Sequence, residues 1–174
     1  MIDPVQKPRP AAAETFPEPP GLYVRADVLD EIRFNGSWKR DGLAGGLLVG
    51  RHYADPASGE PYVVVDGFVG GAHADDLQGF VRSLRSRWKE SVAARATHFP
   101  EGEILGWYVA PGKDGPPDRE ALVLHNTFFN HPWQIGLWVP PDAAPTTARP
   151  ERDTLRTGPV AVLDGASARL ARPR

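Results

Sequence analysis

Gly46 to Tyr53, GLLVGRHY, reads as a buried strand, and a second run, Tyr62 to Val69, returns after the turn-forming segment DPASGE, Asp55 to Glu60. Two such runs joined by a Pro- and Gly-bearing turn predict a β-hairpin. A lone hairpin is marginal in water, so the chain must supply neighbours for it. Leu22-Tyr23-Val24, ILGWYVA (Ile104 to Ala110), WQIGLWV (Trp133 to Val139) and PVAVL (Pro159 to Leu163) are the candidates. Helical spacing fills the gaps between them. Val28, Leu29 and Ile32 mark a helix over Ala26 to Phe34, stopped by Asn35-Gly36-Ser37 before a turn at Lys39-Arg40-Asp41-Gly42. Leu77, Phe80, Val81, Leu84, Trp88 and Val92 mark a longer one, with Asp75 or Asp76 placed to cap it. A third runs from about Asp118 to Phe129. The order β–α–β–β–α–β–α–β predicts an α/β (α+β) fold, a mixed sheet with helices packed against it.

The two ends of the chain read differently. Residues 1–20 hold Pro4, Pro8, Pro10, Pro17, Pro19 and Pro20. Proline lacks an amide donor and fixes φ, so this segment reads as an extended, disordered tail rather than helix or central strand. Residues 21–141 form the domain. Residues 142–174 read as an extension: a polar Pro/Thr/Arg-rich loop over 142–157, then an edge strand at Pro159 to Leu163.

With 174 residues, one domain is expected. Twenty Lys and Arg against 22 Asp and Glu leave a net charge of −2, which gives no reason to expect a nucleic-acid or acidic-membrane partner. There is no cysteine, which excludes disulfides, thiolate metal sites and a cysteine nucleophile. The start of the chain lacks the apolar region of a secretory signal, and the longest apolar stretch, Leu43 to Gly50, is far too short to span a bilayer. A cytoplasmic location is therefore expected. The high Ala, Arg, Gly and Pro content suggests a bacterial, GC-rich source.

Few residues are arranged for chemistry. His52, His73, His98, His125 and His131 show no metal-ligand spacing, and the six-residue step from His125 to His131 exceeds one helical turn. His73 beside Asp75 and Asp76 reads as a helix start with capping carboxylates rather than a cation site, and His125 as a structural histidine beside Phe128 and Phe129. No serine stands in a Gly-x-Ser-x-Gly elbow, and neither Gly70-Gly71 nor Gly112-Lys113-Asp114-Gly115 completes a phosphate loop. Glu103 reads as a surface carboxylate, and Arg82, Arg85, Arg87 and Lys89 as a solvated helix face. Five tryptophans are many for this length. Trp107 and Trp138, in strands, belong to the core, whereas Trp88 and Trp133, with Phe128 and Phe129, are candidates for an interface.

Three segments, in one order, resemble the JAB1/MPN/Mov34 domain of the JAMM metalloproteases: GGLLVG (Gly45 to Gly50), GEILGWYVAP (Gly102 to Pro111) and ALVLHNTFFNHPWQIGLWVPP (Ala121 to Pro141). The resemblance spans about Gly21 to Pro141. It implies a mixed sheet flanked by helices with a cytidine-deaminase-like layered core. A JAMM site holds zinc with two histidines and an aspartate, and uses a glutamate as base and a serine to steady the oxyanion. Counted from this chain's motif residues, the glutamate position holds Leu43. Val109 and Ala110 stand where His-x-His would precede the proline, one residue short. The serine and aspartate positions hold Asp118 and Ala121. Scaffold residues Gly46, Gly50, Gly106, Trp107, Tyr108, Pro111, Phe128 and Phe129 match the family, while each chemical residue is replaced.

The resemblance therefore implies an MPN-like pseudoenzyme: no catalytic residue, no metal and no cofactor. Relatives of that type pair with another MPN domain, so the implied function is a scaffold or adaptor subunit whose partner is itself or a related domain. Two other readings stand beside it. One is a peptide-binding module that grips an extended segment in the zinc-free cleft near Val109. The other is a hydrolase with an altered metal site drawn from Asp118, His125 and Glu103.

Overall fold

In a computed structural model, residues 5–6, 9–16, 18–36 and 41–174 are described. In chain order the elements are β1 (Val5–Gln6), β2 (Ala11–Ala12), β3 (Leu22–Arg25), α1 (Ala26–Gly36), β4 (Leu43–Ala54), β5 (Pro61–Ala74), α2 (Leu77–Ser86) and α3 (Trp88–His98). β6 (Glu103–Pro111), α4 (Arg119–Phe128), β7 (Ile135–Trp138), β8 (Thr146–Glu151), β9 (Thr154–Pro159), β10 (Ala161–Asp164) and β11 (Ser167–Leu170) follow. The strands form one mixed sheet in the order β2-β11-β10-β3-β5-β4-β6-β7-β8-β9, with β1 pairing beside the end of β4. This is an α+β fold. Among the described residues no helix is long and apolar enough to cross a membrane.

The β4–β5 hairpin is the centre of the sheet, and residue alternation along it assigns side chains to two apolar faces. Leu48, Val63 and Val65 meet α1 through Val28, Leu29 and Ile32. Leu47, Val49 and Val69 meet the opposite layer, where α2 contributes Leu77, Phe80 and Leu84 and α4 contributes Leu124. On β6 the alternation is broken on purpose. Leu48 pairs with Gly106 but Val49 pairs with Ile104, so Leu105 is an extra residue, a β-bulge. The bulge lets Leu105 and Tyr108 share the α1 face while Trp107 and Val109 point the other way. Gly106 makes this possible: its φ is 151°, and a Cβ there would lie 1.7 Å from the Ile135 carbonyl oxygen of β7.

Four sequence expectations change. The stretch from Leu77 to Val92 is two helices, parted at Arg87, because the apolar stripe that buries α2 fades beyond it and α3 has no fully buried residue. The segment 142–157 is largely a hairpin, β8 and β9, turning near Arg152 at a φ of 57°. Its prolines hid it, yet Pro150 lies one residue from the end of β8 and Pro159 ends the outer strand, places that tolerate a missing N–H. The run at Pro159 to Leu163 is no edge: β10 lies between β3, parallel to it, and β11, which returns after Gly165. The proline-rich segment is laid onto the sheet, with β2 paired to β11 and β1 to β4. There Arg9 bonds Asp55 at 2.7 Å and the Pro20 carbonyl, and lies over the Tyr62 ring. Pro4, Pro8, Pro17, Ser37, Trp38 and the Lys39-Arg40 half of the expected turn lie outside the described residues.

Candidate functional site

The positions that the resemblance marks for zinc chemistry come together at one end of the central strands, and most are sealed. Leu43 begins β4 opposite Ala74 and Pro111, and Val109, Ala110 and Ala121 are buried around it. A shallow hollow of about 430 Å³ opens above them, lined by Leu43, Asp76, Leu77, Asp118, Glu120 and Trp138. Its two aspartates are employed locally. Asp76 accepts from the Gly79 N–H at 2.7 Å and caps α2, and Asp118 accepts from the Glu120 N–H at 3.0 Å and caps α4. Each answers the unpaired amides of its own helix start.

The three residues considered for an altered metal site do not meet. His125 lies inside the α4 layer, where Trp107 Nε1 donates to its Nδ1 at 3.2 Å. Burial, with the nearby Arg149 charge second, pulls its pKa down to about 4, so the ring is neutral at pH 7. Glu103 opens β6 at the far end of the strand from Pro111 and binds His52 instead. Among the described residues no group of three or more His, Asp or Glu side chains is placed to hold one metal ion. Both edges of β6 are taken, by β4 and by β7, so no peptide strand can add at Val109.

The interface candidates converge at that other end. A groove of about 470 Å³ is bordered by Trp88, Ile104, Phe128 and Trp133. Trp88 begins α3 and stacks on Phe128, the last residue of α4, with ring centres 5.2 Å apart and planes 15° apart. Phe129 is buried beneath, edge-on to Trp88 at 6.2 Å. Trp133 is held from the β4 side: the His52 ring stacks on it at 3.9 Å with planes 1° apart, and His131 stacks at 5.2 Å. Glu103 fixes His52, accepting from its backbone N–H at 3.2 Å and meeting its Nδ1 at 2.7 Å. Gln134 ties the loop down, donating to the Ile104 carbonyl at 3.1 Å and accepting from the His131 N–H at 3.0 Å. Arg95 donates to the Gly102 carbonyl at 3.1 Å on the facing wall. The polar groups therefore hold rigid a set of partly exposed aromatic faces.

Trp88, Trp133, Phe128 and Phe129 were legible as candidates, and the structure brings all four to this one place. His52, Glu103 and Gln134, which position Trp133, were not: His52 and Glu103 are 51 residues apart and no motif links them. Trp107 and Trp138 are buried, as strand residues should be.

No protein-family model matches the chain, and no curated protein matches it. Among solved structures it is similar to the solution structure of protein DSY2949 from Desulfitobacterium hafniense. The TM-score is 0.50 at 12% identity, over 83% of this chain and 94% of that one. At this identity the likeness concerns the fold alone.

Proposed function

We propose that this chain is a non-catalytic, MPN-like scaffold subunit of the cytoplasm that pairs with itself or with a related domain through the aromatic groove. The observation that carries the reading is the convergence of Trp88, Phe128 and Trp133, from three separate elements, into one partly exposed surface. Preorganised Trp and Phe faces provide large contact area with little ordering cost on association. The sealed state of Leu43, Val109, Ala110 and Ala121 supports the same reading from the other end, since buried aliphatic groups offer neither a base nor a ligand. A peptide-binding cleft at Val109 and a hydrolase built on Asp118, His125 and Glu103 draw less support. The first needs a free strand edge and the second needs three groups in one place.

Sedimentation equilibrium over a wide concentration range tests the proposal, run on the wild type and on the Trp88→Ala/Trp133→Ala double variant. Self-association weakened by about 30-fold in the variant is the expected result, the loss typical of a central aromatic anchor. A wild type that stays monomeric, and that also fails to bind a purified MPN-like domain, refutes it. Metal analysis of the purified chain addresses the hydrolase reading: stoichiometric zinc would favour it.

A further inference from the structure

A third hollow, of about 510 Å³, has no part in either region above. It lies where the N-terminal segment meets the β8–β9 hairpin. Although β8 stands five places from β3 in the strand order, its Arg149 reaches across to Gly21, just ahead of β3. A Cβ built on Gly21 would lie 3.1 Å from the Arg149 Nη2, a tight contact that shows how closely the guanidinium approaches the backbone there.

The charges around this hollow balance in number but not in pairing. Arg9 is paired to Asp55 at 2.7 Å, with Glu60 at 4.0 Å, and Arg156 is paired to Glu18 at 3.7 Å. Arg149 also borders the cavity, yet its guanidinium has no hydrogen-bond or ion-pair partner among the described residues. Burial lowers its pKa from the ordinary arginine value, the Arg9 charge adds to this, and Glu60 opposes it. A partly desolvated cation left without a direct ion pair is a cost to the fold. The Thr147 and Thr157 side chains line the same space.

We propose that this hollow binds a carboxylate-bearing ligand, with Arg149 as the anchoring guanidinium. The fork of a guanidinium matches a carboxylate through two parallel N–H···O bonds. The Arg149 fork is the group left unengaged, and the rim carboxylates Glu18 and Glu60 oppose a doubly charged phosphate more strongly than a singly charged carboxylate. The carboxylate can belong to a small acid or to the C-terminus of a peptide, and the two are separable by experiment.

The full chain is titrated with benzoate, with a short N-acetylated peptide bearing a free C-terminus, with the same peptide amidated, and with inorganic phosphate, all at equal ionic strength. Amide shifts are followed by ¹H–¹⁵N NMR. Benzoate or the free-carboxylate peptide should move the Gly21, Thr147, Thr157 and Gly158 signals saturably, with the amidated peptide inert. Whichever of the two binds more tightly names the source. Arg149→Gln should abolish the shifts, and Arg149→Lys should weaken binding at least tenfold because the fork is lost. Without ligand, Arg149→Gln should unfold at a midpoint no lower than the wild type, as expected for removal of an unpaired cation. Phosphate binding more tightly than either carboxylate, shifts unchanged in Arg149→Gln, or no saturable shift with any probe would overturn the proposal. So would a clear fall in the unfolding midpoint of Arg149→Gln, because it would make Arg149 a structural residue. Thr147→Val, which keeps the shape and removes the hydroxyl, supplies a second variant and should weaken benzoate severalfold. An unaltered benzoate affinity in that variant would count against the site.

Discussion

Acidification should strain one buried contact, and the loss can be worked from its geometry. His125 is 3% exposed and accepts the Trp107 indole N–H at Nδ1, so its folded form is the neutral ring. The folded pKa is about 4, against 6.5 for an unperturbed histidine. A lowered folded pKa means that the unfolded chain takes up a proton first. The stabilisation is therefore fully present above pH 6.5 and is lost as pH falls toward 4. Each unit in that window costs about 1.4 kcal/mol, so the loss between about pH 7 and pH 4.5 is at most about 2 to 3 kcal/mol. Carboxylates titrate in the same range, and a variant is needed to subtract them. His125→Gln keeps an acceptor for Trp107 and removes the titration. Urea unfolding, followed by tryptophan fluorescence across this range, should show the wild type losing stability faster than the variant by about that amount. Parallel stability-against-pH curves for the two proteins would refute the argument, because they would mean that His125 is protonated as readily in the fold as in the unfolded chain.

Gly106→Ala should be among the most damaging single-methyl changes, at least about 4 kcal/mol in urea unfolding or an insoluble product, because both the left-handed φ and the Ile135 carbonyl forbid a Cβ. Gly59→Ala, also at a positive φ but facing open space, should cost only about 1 kcal/mol, and equal losses in the two would show that the Ile135 contact is not the cause. Arg9→Ala should release the segment before β3 from Asp55, the Pro20 carbonyl and the Tyr62 ring, so limited proteolysis within residues 9–20 should quicken roughly tenfold with little change in the global unfolding midpoint. Unchanged cleavage would show that Arg9 does not hold the segment.

The parts of the fold read correctly from the sequence are those in which one physical signal dominates. Leu47 to Val49 and Val63 to Val65 are continuous apolar runs, and the β4–β5 hairpin follows from them. Leu77, Phe80 and Leu84 keep strict helical spacing, and α2 follows. β8, β9 and β11 were missed because their stability is borrowed. Only Thr147 and Ala148 of β8 are buried, and polar residues with Pro150 and Pro159 fill most of the hairpin, so its pairing depends on lying beside β7, an adjacency that local sequence does not reveal. β2 is two alanines whose partner, β11, lies more than 150 residues away. The aromatic groove was half legible for the same reason: large aromatic residues announce themselves, but the histidine and carboxylate that orient Trp133 are ordinary residues made special by where the sheet puts them.

That dependence on packing also bears on what the glycines mean. Gly46, Gly50 and Gly106 belong to the segments that resemble a zinc-hydrolase family, and each has a steric reason to be glycine. A Cβ would lie 2.4 Å from the Val69 carbonyl oxygen at Gly46, 2.0 Å from that of Val64 at Gly50, and inside the Ile135 peptide at Gly106. Gly136 is not one of those scaffold positions, yet it is equally constrained, with a Cβ placed 2.1 Å from the Trp107 ring. The glycine pattern thus reports how tightly β4, β5, β6 and β7 approach one another and says nothing about catalysis. A sheet of this kind can keep every such glycine whether its exposed end holds a metal, a partner or nothing. Function is therefore carried by groups the sheet does not require. Trp88 and Trp133 are large apolar faces left partly in water, and the Arg149 guanidinium is left without a direct ion pair.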